Sequence, residues 1–222
     1  MASDTKDRIL DVAEALFADH GFAATSLRDI THDAGVNIAA VNYHFGSKDS
    51  LLAAVLERRI GPVNRQRLIM LDEAEAAAGE AGATIDALAR ALLSPPFRQC
   101  LVGERGPVKF QQLAGRIHAE PHAHARAILL AQFGEITRRF VPAFRKALPH
   151  LSEDEAGWRL LFVVGAMAHT MMSPHMFELC GGRQPDDSEE LLEALVQFVV
   201  AGLKAPAAAR TSRTSPTAGA VA

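Results

Sequence analysis

Residues 26–45 predict two short helices joined by a tight turn, and this pattern restricts the fold more than any other feature of the chain. Leu27, Ile30 and Ala34 fall on one face of a helix, so the first helix has a single apolar stripe. Gly35 follows at the position where a helix commonly ends on a residue in the left-handed conformation. The segment therefore predicts a helix-turn-helix unit.

Both helices begin at residues that can accept hydrogen bonds from free backbone amides. Ser26 is the candidate N-cap of the first helix, with Asp29 in the first turn, where negative charge is favourable. Asn37 is the candidate N-cap of the second helix, whose Val41 and Phe45 face inward. The residues left on its outer face are Ala39, Ala40, Asn42, Tyr43 and His44. This face is small at its start and polar at its end, as a helix entering the major groove of DNA requires.

A spaced set of apolar, glycine and aromatic residues runs through residues 4–64. Its members are Ile9, Phe17, Gly21, Thr25, Ile30, Ala34, Gly35, Val36, Tyr43, His44, Phe45, Lys48, Leu51 and Leu52. The Tyr43-x-Phe45-x-x-Lys48 pattern is specific because it follows the Ala-Gly-Val turn. With these residues the segment closely resembles the N-terminal domain of tetracycline-repressor (TetR) type regulators.

The resemblance implies a DNA-binding domain over residues 4–64, with its motif helices at about 27–46. Asn42 would reach a base edge, while Tyr43 and Lys48 would contact phosphates. The full set of predicted DNA contacts is Thr25, Ser26, Arg28, Asn37, Ala39, Ala40, Asn42, Tyr43, His44 and Lys48. Net charge argues weakly the other way, because residues 1–60 hold six lysines or arginines against nine aspartates or glutamates. Binding must then depend on local geometry.

Composition predicts an all-α fold for the rest of the chain. A length of 222 residues suits one small and one medium domain, and 49% of the residues are apolar, which is enough for a sizeable core. Apolar residues recur at helical spacing, and runs of β-branched residues are few. The resemblance implies that residues 65–204 form a helical effector-binding and dimerisation domain.

Prolines and glycines predict several helix ends in this second part. An interruption is expected at Gly61-Pro62, with the helix resuming through residues 63–78. The next helix is expected to end at Leu93, before Ser94-Pro95-Pro96, and a later one to run unbroken from Pro121 to about Leu148. Residues 205–222, rich in Ala, Ser, Thr, Pro and Arg, predict a disordered tail.

The sequence lacks the common catalytic and nucleotide-binding motifs, among them G-x-S-x-G, G-x-x-x-x-G-K and H-E-x-x-H. His118, Glu120, His122 and His124 are of the types that bind zinc. Pro121 separates His118 from the others, and His122 and His124 are spaced so that they point apart on a helix. We therefore predict no catalytic residue, no metal and no cofactor.

Neither a membrane span nor an apolar leader is expected from the sequence, because its apolar runs are short and its N-terminus is polar. Cys100 and Cys180 lie far apart, without the spacing of a metal site. A reduced, cytoplasmic protein without membrane contact fits this pattern.

Two groups of apolar residues in the second part predict binding surfaces. The candidate effector-pocket residues are Phe110, Leu113, Phe140 and Phe144, for which ordinary core packing is the alternative. In the TetR family the last two long helices usually pair with their copies in a homodimer. The residues that the resemblance places at this interface are Trp158, Phe162, Gly165, Ala168, Leu195 and Phe198.

These observations predict a homodimeric repressor that binds a near-palindromic operator in double-stranded DNA and is released by a small, largely apolar effector. Similarity of residues 41–48, 134–140 and 158–166 to regulators of fatty-acid metabolism points to a fatty acyl compound. Two other functions remain open on the sequence. One is a small-molecule enzyme with an incidental N-terminal domain, and the other is an adaptor whose apolar last helices bind a different protein.

Overall fold

The computed structural model of the chain describes residues 2–102, 106–119, 122–172, 181 and 188–207. All regular structure in these ranges is helical, as predicted. The N-terminal helices are α1 (Ala2–His20), α2 (Leu27–Asp33), α3 (Ile38–Phe45) and α4 (Lys48–Ala78), followed by a 3₁₀ turn at Gly79–Ala81. The others are α5 (Ile85–Val102), α6 (Gly106–Ala119), α7 (Ala123–Ala131), α8 (Gly134–Ala147), α9 (Glu153–Met172) and α10 (Ser188–Lys204).

The buried apolar residues form two clusters. The first core joins α1–α4 with α6 and α7, so that Leu113 and Ile117 of α6 share it with Ile9 and Phe17 of α1. The second core joins the C-terminal half of α4, through Leu71, with residues of α5, α8, α9 and α10. Helix α4 contributes to both cores and therefore connects the DNA-binding motif to the C-terminal helices.

Two predicted helix ends are wrong, because α4 continues through Pro62 and α5 continues through Pro95 and Pro96. A proline inside a helix removes one backbone hydrogen bond and crowds the preceding turn. In α4 both sides of Pro62 are anchored, with Ile60 in the first core and Leu71 in the second. Tertiary packing on both sides outweighs the local loss.

The predicted single helix from Pro121 to about Leu148 is instead two helices, α7 and α8, with a break at Gln132 and Phe133. The amides of Gln132 and Phe133 donate to the carbonyls of Leu129 and Leu130, three residues back, which tightens and ends α7. Asn64 Nδ2 of α4 donates to the Gln132 carbonyl oxygen at 2.7 Å. A contact distant in sequence therefore holds the break, which local sequence reasoning could not find.

The predicted tail falls mostly outside the described residues, which end at residue 207. At its start, the carbonyl oxygens of Ala205 and Pro206 accept hydrogen bonds from Arg159 at 2.7 Å each. These first two residues are thus held against α9. No helix in the described ranges is both long enough and apolar enough to cross a membrane.

Candidate nucleic-acid interface

Paired hydrogen bonds fix the start of α2. The Asp29 amide donates to Ser26 Oγ at 3.2 Å, and the Ser26 amide donates to Asp29 Oδ2 at 2.8 Å. This reciprocal pair is a capping box and confirms Ser26 as the N-cap. The backbone and hydroxyl hydrogen bonds from Ser26 hold the pKa of Asp29 below its usual value.

The turn and the start of α3 also follow the sequence prediction. Gly35 has a φ of +60°, the left-handed conformation that glycine adopts without steric cost. Asn37 is the N-cap of α3, and its Oδ1 accepts a hydrogen bond from the Ala40 amide at 2.9 Å. The two helices are therefore held in register by local interactions.

Helix α3 turns one face inward and one face outward. Val41 is fully buried in the first core, and Phe45 packs against that core, as predicted. On the outer face Asn42 is exposed, and Tyr43 exposes 85% of its surface while its ring lies edge-on to that of His44, at 5.1 Å between centroids. An aromatic residue with a hydroxyl, held in this way beside an amide and an imidazole, is suited to contact a polar surface.

Four of the ten predicted DNA contacts are buried or half-buried, namely Thr25, Ala40, His44 and Lys48. Thr25 is buried, and its hydroxyl donates to the Gly21 carbonyl at 2.8 Å and lies 3.2 Å from that of Leu16. The predicted DNA contact through the Thr25 side chain is therefore wrong, because its hydroxyl ties the end of α1 to the start of α2. Ala40 is half-buried against the first core, whereas its neighbour Ala39 is exposed.

Lys48 lies at the first position of α4, directly after the N-cap Ser47, whose Oγ accepts from the Ser50 amide at 3.0 Å. The Lys48 ammonium lies 4.4 Å from the centroid of the Phe22 ring, a cation–π contact. Partial burial lowers the pKa of Lys48. Phe22 was missed by the sequence reasoning, although it directly follows Gly21, the residue that ends α1.

Three carboxylates of the N-terminal segment lie against basic side chains of the protein itself. Glu14 is buried between Arg58 and Arg59, with closest distances of 2.6 and 3.0 Å. Asp19 pairs with Lys109 of α6, and Asp49 lies 2.9 Å from His124 of α7. These carboxylates point at partners within the protein, which reduces their repulsion of DNA phosphates.

Comparison with known proteins decides the family. The family model described as bacterial regulatory proteins, tetR family, matches residues 9–55, and the tetracyclin repressor-like C-terminal domain matches residues 90–202. A transcriptional repressor of Mycobacterium tuberculosis is 35% identical over 184 residues, spanning 75% of this chain and 88% of that protein. The chain belongs to the TetR family. It is therefore a DNA-binding helix-turn-helix transcription regulator. The alternative that the chain is a small-molecule enzyme is not supported, because the TetR family is a family of regulators.

Other TetR-family proteins match less of the sequence or only the fold. The repressor KstR2 of Rhodococcus jostii is 39% identical over 54 residues, which are 24% of this chain and 26% of that protein. The structure of the fatty acid degradation regulator FadR from Bacillus halodurans matches with a TM-score of 0.61 at 14% identity. That match covers 90% of this chain and 96% of the other. At this identity the similarity shows a shared fold only.

The four predicted pocket residues of this TetR-family chain do not meet in one cavity. Phe110 and Leu113 pack in or against the first core, because α6 lies on α1, whereas Phe140 and Phe144 are buried in the second core. The prediction of one pocket lined by all four is therefore wrong. Two clefts at the described surface, one between α1 and α2 and one at the C-terminal end of α4, involve none of them.

Of the six predicted dimer residues, four are exposed, one is half-buried and one is buried. Trp158 and Phe162 of α9 expose 60% and 67% of their surface, and Phe198 of α10 exposes 70%. Gly165 is exposed and Ala168 half-buried. Leu195, by contrast, is buried in the second core of its own chain, so assigning its side chain to the interface was wrong. Leu161 and Val164, also exposed on α9, were missed.

The histidine-rich segment has one described contact of note. His124 Nε2 lies 2.9 Å from Asp49 Oδ2, which joins α7 to the first turn of α4. His118 and Glu120 lie outside the residues whose side chains are described. Within the described part of the chain, no three histidine, cysteine or acidic side chains are grouped as a metal site requires.

Proposed function

We propose that this regulator is a homodimeric repressor that reads a near-palindromic site in double-stranded DNA with α3 and is released by a small effector. The observation that supports it most directly is the outer face of α3. There Asn42 and Tyr43 are exposed on a helix whose start and buried side are both fixed. A preorganised face of this kind loses little conformational entropy when it binds.

The outer face of α3 supplies the proposed base contact, and the surrounding helix starts supply the phosphate contacts. Asn42 reads a base edge, since its amide can both donate and accept as adenine requires. Tyr43, His44 and Lys48 bind phosphates. The starts of α2 and α3 add backbone amides near their positive ends. The residues proposed for these supporting contacts, through side chains or backbone amides, are Ser26, Arg28, Asn37 and Ala39.

An apolar face on the last two helices supports the homodimer. Trp158, Leu161 and Phe162 project from two turns of α9, and Phe198 projects from α10. Several large apolar side chains exposed on neighbouring helices are typical of an interaction site. Pairing of this face with its copy about a two-fold axis would cover it. That arrangement would also present two α3 helices to one DNA duplex.

The proposed effector is small and largely apolar, and it binds in the second core, between the helices that connect α4 to the dimer face. It lowers DNA affinity because it prefers an arrangement in which the two α3 helices are wrongly spaced. Similarity to regulators of fatty-acid metabolism makes acyl compounds the first class to test. A chain-length series of these compounds should shift DNA affinity if the proposal holds.

Selection of bound duplexes from a random pool tests the DNA-binding proposal and yields the site. We expect a near-palindrome whose half-sites lie about one helical turn, or a multiple of it, apart. Two chains should be bound per duplex at saturation. Recovery of one asymmetric half-site with a single chain per duplex would contradict the two-fold arrangement.

Lys48→Ala is expected to weaken binding to all duplexes and to reduce the slope of log K against log salt by about one unit, because one phosphate contact is lost. The measurement is a salt titration of binding to the selected duplex. Arg65→Ala is the matched control, since it removes one exposed positive charge from the same helix, roughly 25 Å further along α4. An unchanged slope in folded Lys48→Ala protein would rule out the phosphate contact.

A further inference from the structure

A buried cation without a carboxylate partner among the described residues lies in the second half of α4. Arg67 is only 3% exposed. Its Nε donates to the Leu92 carbonyl oxygen at 2.8 Å, its Nη1 donates to Asn64 Oδ1 at 3.0 Å, and its Nη2 lies 3.4 Å from Met167 Sδ. None of these three acceptors carries a charge. Elsewhere in the described ranges, arginines such as Arg58, Arg90 and Arg159 pair with carboxylates.

The sequence of α5 explains why one of these acceptors is available. Pro96 has no amide hydrogen, so the Leu92 carbonyl, four residues earlier, loses its usual partner in the helix. Arg67 Nε replaces that partner. Asn64 is oriented as well, because its Nδ2 donates to the Gln132 carbonyl at the break between α7 and α8. The guanidinium is therefore held by fixed groups on two sides.

Burial of a charge without a counter-ion is unfavourable, by several kcal/mol per ion in proteins. Burial alone lowers the pKa of Arg67 to about 10, so the group still carries its positive charge at neutral pH. A residue kept in this state contributes little to the stability of the ligand-free protein. An anion that binds from solution would therefore be attracted strongly to the Arg67 charge, which no carboxylate of the described residues neutralises.

The remaining donors indicate the shape of that anion. A guanidinium has five N–H groups, and three are occupied, which leaves one on each terminal nitrogen without an acceptor among the described residues. Two such donors match the two oxygens of a carboxylate. The Met167 thioether is the weakest of the three acceptors and belongs to a flexible side chain, so it can move aside.

The surroundings indicate the rest of the ligand. Arg67 touches α5 and α9, the same helices that contribute Leu93 and Val163 to the second core, and Leu71 lies one turn further along α4. These residues offer only apolar surface. A molecule that fits must combine one anionic group with an apolar body.

We propose that Arg67 binds the carboxylate of the effector, and that the effector is a monocarboxylate with an apolar body, seated between α4, α5 and α9. This inference depends on the effector-responsive repressor proposed above and narrows its ligand. It assigns the polar end of the ligand to one side chain. The apolar body is assigned to the second core.

Thermal unfolding and calorimetric titration of the full chain test the assignment with two acids, dodecanoate below its critical micelle concentration and cinnamate, and with their methyl esters. We expect at least one acid to raise the melting temperature of the wild type and its ester to have no such effect. Arg67→Met should raise the dissociation constant of that acid roughly a hundredfold, since a buried charged hydrogen-bonded pair is lost. Dodecanoyl-CoA, whose charges lie on phosphates, should bind no better than the ester.

Arg65→Met is the matched control, because it removes an exposed arginine from the same helix and should leave acid binding unchanged. Arg67→Met should fold, since an apolar residue of similar length replaces an uncompensated charge. Arg67→Gln serves as a second variant and should lose acid binding as well.

Three results would overturn the assignment: no shift with either acid, equal binding of acid and ester, or acid binding that survives in both Arg67 variants. A separate measurement distinguishes failure of the Arg67 assignment from failure of the repressor proposal. It compares the affinities of the wild type and Arg67→Met for the selected duplex, without any acid present. Both proteins should bind that duplex equally. A selection that recovers no duplex bound by the wild type would instead count against the proposed function.

Discussion

Phe162→Asp is expected to convert the proposed homodimer into a folded monomer. Phe162 exposes 67% of its surface in the single chain, so the substitution leaves the chain's own core intact. In a symmetric interface it places two aspartates in an apolar environment, one from each copy. An unpaired buried charge costs about 3–5 kcal/mol, which weakens the dimer by more than a hundredfold. Light scattering coupled to size-exclusion chromatography measures the change.

Leu130→Asp provides the control for this substitution. Leu130 is similarly exposed, at 61%, but lies on α7, away from the proposed interface. The control variant should stay dimeric, and both variants should keep the helical content of the wild type. A dimeric Phe162→Asp protein would place the interface elsewhere. A wild type that is monomeric alone but forms a complex with another protein would favour the adaptor alternative.

The sequence predicted the DNA-binding motif well because local interactions determine it. Ser26 and Asn37 cap helices through amides three residues away, and Gly35 adopts the left-handed conformation without help from distant residues. The inward positions of Ile30 and Val41 follow from helical periodicity alone. All of these features lie within one continuous segment of about twenty residues.

Apart from Thr25, whose hydroxyl contacts residues four and nine positions earlier, the errors concern contacts between residues distant in the sequence. The prolines of α4 and α5 predicted helix ends, but packing on both sides keeps the helices continuous. The pocket prediction grouped Phe110 with Phe144, which the fold places in different cores because α6 packs on α1. For Leu195, helical periodicity gives an apolar position but does not say whether it faces the chain's own core or a partner.

Charged side chains were the hardest to interpret from the sequence. Neither Arg67 nor Glu14 belongs to a motif. The sequence around Lys48 does not indicate its cation–π contact with the Phe22 ring. Their environments are formed by helices that lie 20 to 100 residues apart, as the Arg67–Met167 contact illustrates. Burial of a charge can be found only after the helices are packed, whereas burial of leucine follows from spacing.

Glu14→Gln is expected to destabilise the N-terminal helices by about 3 kcal/mol, because it leaves Arg58 and Arg59 without the carboxylate that both contact. The Glu14 side chain is only 4% exposed, and both arginines are less than one-third exposed, so solvent screens these pairs weakly. Thermal unfolding followed by circular dichroism should show a decrease of roughly 6–12 °C in the melting temperature.

Asp11→Asn is the matched control for this prediction, since Asp11 also pairs with Arg58, at 2.7 Å, but its side chain is 69% exposed. An exposed pair of this kind contributes at most about 1 kcal/mol, so the control should lower the melting temperature by only a few degrees. Both variants replace a carboxylate that contacts Arg58 by an amide of equal size. The difference between their losses of stability therefore measures the effect of burying the carboxylate. Equal losses of stability in the two variants would show that burial of Glu14 does not determine the strength of this network.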